Sequence, residues 1–480
     1  MTQLAPTPVG PIPRMETRPA SARPHPASFR DPSGYIFTRD GVVYRQVNPV
    51  ARTDYELLLA SGLYDALVKS GDLVRHDEVD AALSPDGLAF RVIRPDRVSF
   101  ISYPYEWCFS QLKDAALLTL RLQKAAIAHG MALKDATPYN VAFANGRPVW
   151  IDTLSFEALK PEPWVAYAQF CQMFLAPLAL MSKVDIRLQQ LLKSSIDGIP
   201  LDLASRLLPA SSRLRPGLLM HLHLHAAAQR RLATTNGSTI ANRSAKPFSR
   251  SALTGLIDNL AGTVERLEWG GARTTWGNYY DATNYTDTAF AHKRRIVESA
   301  LDHLRPATVW DLGANDGTFS RLASTRGIPT IAFDIDPVAV ERNYRHAVKE
   351  GDHQILPLML DLTNPSGRYG WANEERDALA DRGPADLAVV LALVHHLAIG
   401  HNVPLERVAE YLGRLARALV IEFVPKGDSQ VQRLLASRVD IFANYTQDGF
   451  ERAFSTVFDI EQTLPVQDSV RTIYIMRRRS

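Results

Sequence analysis

Cysteine is nearly absent: the 480 residues hold two, Cys108 and Cys171, far apart in the chain. A secreted disulfide framework needs more. No group of Cys and His has the spacing of a zinc site, so no metal is firmly predicted. Charge of one sign is also scarce. The formal net charge is +3, and a dedicated nucleic-acid binder shows a concentrated basic face. The run Arg477, Arg478, Arg479 is short and reads as a solvated tail. Long apolar runs are missing too: 174–181 and 389–394 fall far short of a membrane span. The first 34 residues lack the apolar core of a signal peptide, and no repeat of fixed period is found. These absences predict a cytoplasmic chain with no nucleic-acid partner and no membrane span. Oligomeric state is not readable.

Length favours two domains. Eight prolines fall in residues 1–34, a composition that cannot offset its ordering entropy, so a disordered tail is expected there. Residues 35–233 read as an α+β domain. Strands at 35–38 and 42–47 flank the turn Arg39-Asp40-Gly41. A helix is expected over 54–69, and a strand pair at 88–93 and 98–102. A helix over 107–130, a strand pair at 141–143 and 148–151, and a mostly helical stretch over 162–233 follow. Residues 234–274 are a polar linker with a connecting helix near 252–267. Residues 275–480 alternate strand and helix, which implies a doubly wound, Rossmann-like α/β sheet.

The strongest motif is Thr308-Val309-Trp310-Asp311-Leu312-Gly313-Ala314-Asn315-Asp316-Gly317. An apolar strand ends in Asp-Leu-Gly and turns into a helix at Gly317. That is the pattern of nucleotide binding at the carboxyl end of a parallel strand, where glycine lets the backbone approach a ligand. A second strand opens eleven residues after Gly317 and ends in Asp334. An acid there can accept both ribose hydroxyls. A third apolar run ends in Asp361, placed to meet an adenine amine. A NAD-type Rossmann domain would prefer Gly-x-Gly-x-x-Gly, which is absent.

With these residues in place, 275–480 resembles the class I methyltransferase family, which uses S-adenosyl-L-methionine. The resemblance gives Asp311, Gly313, Asn315, Gly317, Asp334 and Asp361 cofactor-binding roles, with Asn315 where many members carry glycine. Upstream, Trp276, Tyr279, Tyr280 and Tyr285 either close over the site as a lid or pack the first helix onto the sheet. The fourth strand runs into His395 and His396, where the family carries catalytic groups. Methyl transfer demands alignment of nucleophile, carbon and sulfur, and an oxygen nucleophile needs a proton acceptor. Histidine suits that role; the other reading is that one of the pair points into the core. Residues 422–428 either line the acceptor cleft or form a strand edge and loop.

The N-terminal part carries a second signal. Asp135, Pro138 and Asn140 have the spacing Asp-x-x-Pro-x-Asn, and Asp152 ends an apolar strand twelve residues later. This resembles the catalytic loop and metal-binding segment of protein-kinase-like folds, which implies a possible nucleotide site for ATP-Mg. The pattern departs from that family in lacking the loop histidine, the Phe-Gly after Asp152, a glycine-rich loop and the strand lysine; Arg45 stands near the expected lysine position. An Asp and an Asn in a tight turn also satisfy backbone groups with no metal. The expectation is therefore a methyltransferase acting on a small-molecule or glycan acceptor, with the N-terminal domain as a substrate or partner module. The alternative is a bifunctional protein whose N-terminal domain also transfers phosphate from ATP.

Overall fold

The computed structural model describes residues 23–234, 248–271, 286–436 and 438–479. The aromatic segment at 276–285 and most of the polar linker lie outside them. The chain divides into two compact units: residues up to 52 together with 76–96, and residues 53–75 together with 97 onward. The N-terminal helical part and the C-terminal sheet fall in the same unit.

The smaller unit is a five-stranded antiparallel sheet. Its strands are β1 (Arg23–Pro24), β2 (Gly34–Arg39), β3 (Val42–Val47), β4 (His76–Val79) and β5 (Arg91–Pro95), in the order β1-β2-β3-β5-β4. The expected hairpin is present: Asp40 and Gly41 both take positive φ, at 52° and 76°, the geometry that suits a tight two-residue turn. Phe37, Val47, Val92 and Ile93 are buried as its core. Two expectations need correction. Residues 23–34, expected to be disordered, are ordered: β1 pairs along β2 and the His25 amide donates to the Ile36 carbonyl at 2.7 Å. Pro24 is tolerated on this edge, where a missing N–H costs little. And β5 pairs with β3 and β4, while 98–102 forms no strand.

In the larger unit, the helix expected over 54–69 breaks at Gly62, whose φ is 76°, into Arg52–Ala60 and Leu63–Ser70. Short pairs follow: β6 (Met131–Leu133) with β9 (Phe156–Ala158), and β7 (Val141–Ala144) with β8 (Arg147–Trp150) around the turn Asn145-Gly146. The rest of the N-terminal part is mostly helical, dominated by Phe109–Ala128.

The C-terminal sheet contains β10 (Val309–Leu312), β11 (Thr330–Asp334), β12 (Ile355–Met359), β13 (Ala385–Val390), β14 (Ala416–Phe423), β15 (Phe458–Pro465) and β16 (Thr472–Arg478). Their order is β12-β11-β10-β13-β14-β16-β15. The first five are parallel, and β16 inserts antiparallel between β14 and β15. The order reverses between β10 and β13, the switch point where open α/β sheets bind ligands.

The N-terminal helices pack on this sheet. Phe100, 7% exposed, meets Trp310 edge-on at 5.7 Å and Phe333 at 6.2 Å between ring centroids. This burial, not strand pairing, explains the apolar run around 98–102. The fully buried Gln111 donates to the Pro357 carbonyl at 2.9 Å, and Tyr344 donates to Asp114 at 2.8 Å. Glu106 and Arg382 form a buried ion pair at 2.5 Å.

Candidate active site

Asp311, the last residue but one of β10, is buried and accepts from the Ser320 hydroxyl at 2.6 Å. Burial, with Asp334 nearby, pushes its carboxyl up to about 7. The chain then turns over Gly313 (φ 86°), Asn315 (φ 50°) and Gly317 (φ 82°). A Cβ on Gly317 would stand 2.5 Å from the Asn343 amide, so glycine is required by space as well as by backbone. Gly313 and Ala314 donate their amides to the Phe333 carbonyl at 2.9 Å each, pinning the loop to the end of β11.

Asp334 closes the same arrangement. It accepts from the Asn315 amide at 2.8 Å and the Asp336 amide at 2.8 Å. Burial raises its carboxyl to about 6, against the pull of those hydrogen bonds. Asp361 follows β12, half-buried, and accepts from the Thr363 amide and hydroxyl at 2.8 and 2.6 Å.

These strand ends surround a cavity of about 200 Å³ lined by Gly313, Asn315, Asp334, Asp361, Ala392 and His396, among others. Four of the six expected cofactor residues reach its wall. Asp311 and Gly317 stand behind it and shape the loop. Of the histidine pair, His396 faces the cavity and His395 does not. Burial lowers His396 to about 4, and burial holds His395 well below the ordinary histidine range, with His396, Arg471 and Lys293 adding to it. Both are therefore neutral near pH 7. His401, not singled out in the sequence, also lines the cavity.

A group of buried charges lies behind the loop after β13. Lys293 donates to Glu422 at 2.8 Å, and Arg471 holds Asp428 through two contacts of 2.8 and 3.1 Å. All four side chains are buried. Glu422 was visible as an acid interrupting an apolar strand. Arg471 gave only one signal, a charge just before the apolar β16.

The kinase-like residues also meet, but they bind one another. The Asn140 amide donates to Asp135 at 3.2 Å and to the Ser155 hydroxyl at 3.2 Å. Asp135 accepts from the Thr137 amide, and Asp152 caps the Leu154 amide at 2.8 Å. Burial, then the charge of Asp152, raises the Asp135 carboxyl. Among the described residues no group of three or more His, Cys, Asp or Glu is placed to hold a metal ion. Asp135, Asn140 and Ser155 thus form one hydrogen-bonded cluster, with the charge of Asp152 beside it. The residues at the switch-point cavity suit a nucleoside-bearing cofactor, since Asp334 and Asp361 both face it.

The switch-point cavity and the parallel sheet with an inserted antiparallel strand give the C-terminal part the doubly wound, Rossmann-like fold expected from its sequence. Comparison with known proteins places it more closely. It is 34% identical over 472 residues to nodulation protein NoeA of Rhizobium meliloti (strain 1021), covering 96% of this chain and 98% of that one, and it belongs to the NoeA family. No family model matches it. Similar solved structures include magnesium protoporphyrin IX methyltransferase (ChlM) from Synechocystis PCC 6803 with bound SAM, 17% identical over 42% of this chain and 89% of that one, TM-score 0.29. N-methyltransferase NodS from Bradyrhizobium japonicum WM9 is 11% identical over 40% and 98%, TM-score 0.29. The bifunctional kinase-methyltransferase WbdD is 16% identical over 40% of this chain, which spans only 38% of that one, TM-score 0.26. Among the described residues no helix is long and apolar enough to cross a membrane.

Proposed function

We propose that this protein transfers a methyl group from S-adenosyl-L-methionine to a small-molecule or glycan acceptor. The observation that carries this reading is the convergence of Gly313, Asp334, Asp361 and His396 on one cavity at the switch point of the sheet. When bound, the cofactor supplies a methyl group on a sulfonium. Asp334 holds a ribose through the lone pairs its two backbone bonds leave free, and Asp361 faces the adenine side. Neutral His396 is a group at the wall able to take a proton from an acceptor hydroxyl, and His401 stands on the same wall. His395, ring to ring with it at 4.1 Å between centroids, supports it from behind.

The N-terminal residues 35–233 are read as a module that docks the acceptor or a partner. The mutual hydrogen bonds of Asp135 and Asn140 support this over phosphate transfer. Calorimetric titration with S-adenosylhomocysteine tests the cofactor half of the proposal. The wild type is expected to bind, and absence of binding refutes it.

A further inference from the structure

Four charged side chains buried together need an explanation. Each ion taken out of water costs several kcal/mol, and apolar replacements of similar volume are often as stable. Stability alone is thus a poor reason for Lys293, Glu422, Arg471 and Asp428 to meet behind the cavity. The contacts of Glu422 show what this one does locally. Its Oε2 accepts from Lys293 at 2.8 Å and also from the Ala392 amide at 2.7 Å. Its Oε1 lies 3.9 Å from the Arg471 guanidinium.

Ala392 lines the cavity and has φ 51°, a left-handed conformation that an L-residue adopts only at a cost. Three residues later the chain reaches His395, 1% exposed, whose Nδ1 has no hydrogen-bond partner. Nothing polar on that nitrogen sets the ring orientation. His396 lies 4.1 Å from it between ring centroids, so the turn that carries one ring carries the pair. The charged and titratable groups around it are Lys293, Arg471 and His401.

We propose that Glu422 is a positioning residue for methyl transfer: its carboxylate holds Ala392 in the left-handed turn and so fixes where the His395–His396 pair stands against the cavity. Lys293 anchors the carboxylate, and Arg471, clamped by Asp428, flanks its other oxygen. This rests on the cofactor reading above for its function, and its test is separable from that reading.

Two variants of the full chain divide reach from charge. Glu422→Gln keeps the reach to the Ala392 amide and removes the charge. Glu422→Asp keeps the charge and withdraws the acceptor by one methylene. The readouts are the titration of the ¹⁵N-labelled histidines by NMR and the affinity for S-adenosylhomocysteine by calorimetry. Positioning predicts that Glu422→Asp moves the His396 titration toward the ordinary histidine value and weakens binding about tenfold, the scale of one lost buried hydrogen bond. Glu422→Gln should leave the titration in place and hold affinity within about threefold. The reverse order, or equal effects, overturns the proposal. If Glu422→Asp fails to fold, the Gln variant decides: an unmoved titration supports positioning and a displaced one refutes it. A wild type that binds no S-adenosylhomocysteine refutes the cofactor reading alone, since the titrations still rank the variants.

Discussion

Phe100→Ala probes whether the N-terminal helical part and the methyltransferase sheet are one core. The ring lies edge-on to Trp310 and Phe333, with the Arg382 guanidinium 4.9 Å above its centroid. Truncating a buried phenylalanine costs about 3–5 kcal/mol through lost transfer energy and the cavity left behind. In a unit of this size that lowers Tm by roughly 5–10 °C. The consequence should reach the site, because Trp310 precedes Asp311 and Phe333 lines the cavity. Differential scanning calorimetry with and without S-adenosylhomocysteine measures both effects. The expected result is that the transition stabilised by the ligand is the one lowered by the substitution, with affinity weakened several-fold. Separate transitions for the two parts, with the ligand raising one and Phe100→Ala lowering only the other, would refute the shared core.

Three further outcomes follow from the site. Asp311, with a folded pKa near 7 against 3.8 for a free carboxyl, contributes stability that is greatest below pH 3.8 and lost as pH rises toward 7. Asp311→Asn should therefore gain on the wild type as pH rises from 4 to 7, by up to about 4 kcal/mol, read from urea melts of the ligand-free protein; a difference independent of pH contradicts it. Gly317→Ala places a Cβ against Asn343 at positive φ, and should cost about 1–3 kcal/mol and weaken S-adenosylhomocysteine binding at least tenfold, measured by calorimetry. ATP with magnesium should leave Tm unchanged in a thermal-shift assay, since Asp135 and Asn140 are tied to each other; a shift abolished by Asp152→Ala would restore the nucleotide site.

The C-terminal sheet was largely legible because its first three strands, β10 to β12, are apolar runs that stop at an acid or a glycine. Asp311, Asp334 and Asp361 each sit at such a stop, and the parallel order follows from the alternation with helices. What stayed hidden depends on contacts between distant segments. Phe100 and its neighbours read as a strand because alternation records burial, not what does the burying. The spacing of Asp135 and Asn140 is the same whether the side chains face a metal or each other. His396 faces the cavity while His395 is buried behind it, and two adjacent histidines carry no sequence signal for which is which. Arg471 meets Asp428 only because β16 returns antiparallel beside β14.

The most direct test of the account is calorimetric titration of S-adenosylhomocysteine into the full-length wild type and Asp334→Ala. Asp334 touches both the glycine loop and the cavity, so its loss removes a ligand contact and frees the Asn315 amide. The account predicts one-site binding by the wild type and a loss of about tenfold or more in the variant, the equivalent of at least about 1.4 kcal/mol. No binding by the wild type, or equal affinity in the two proteins, would contradict it.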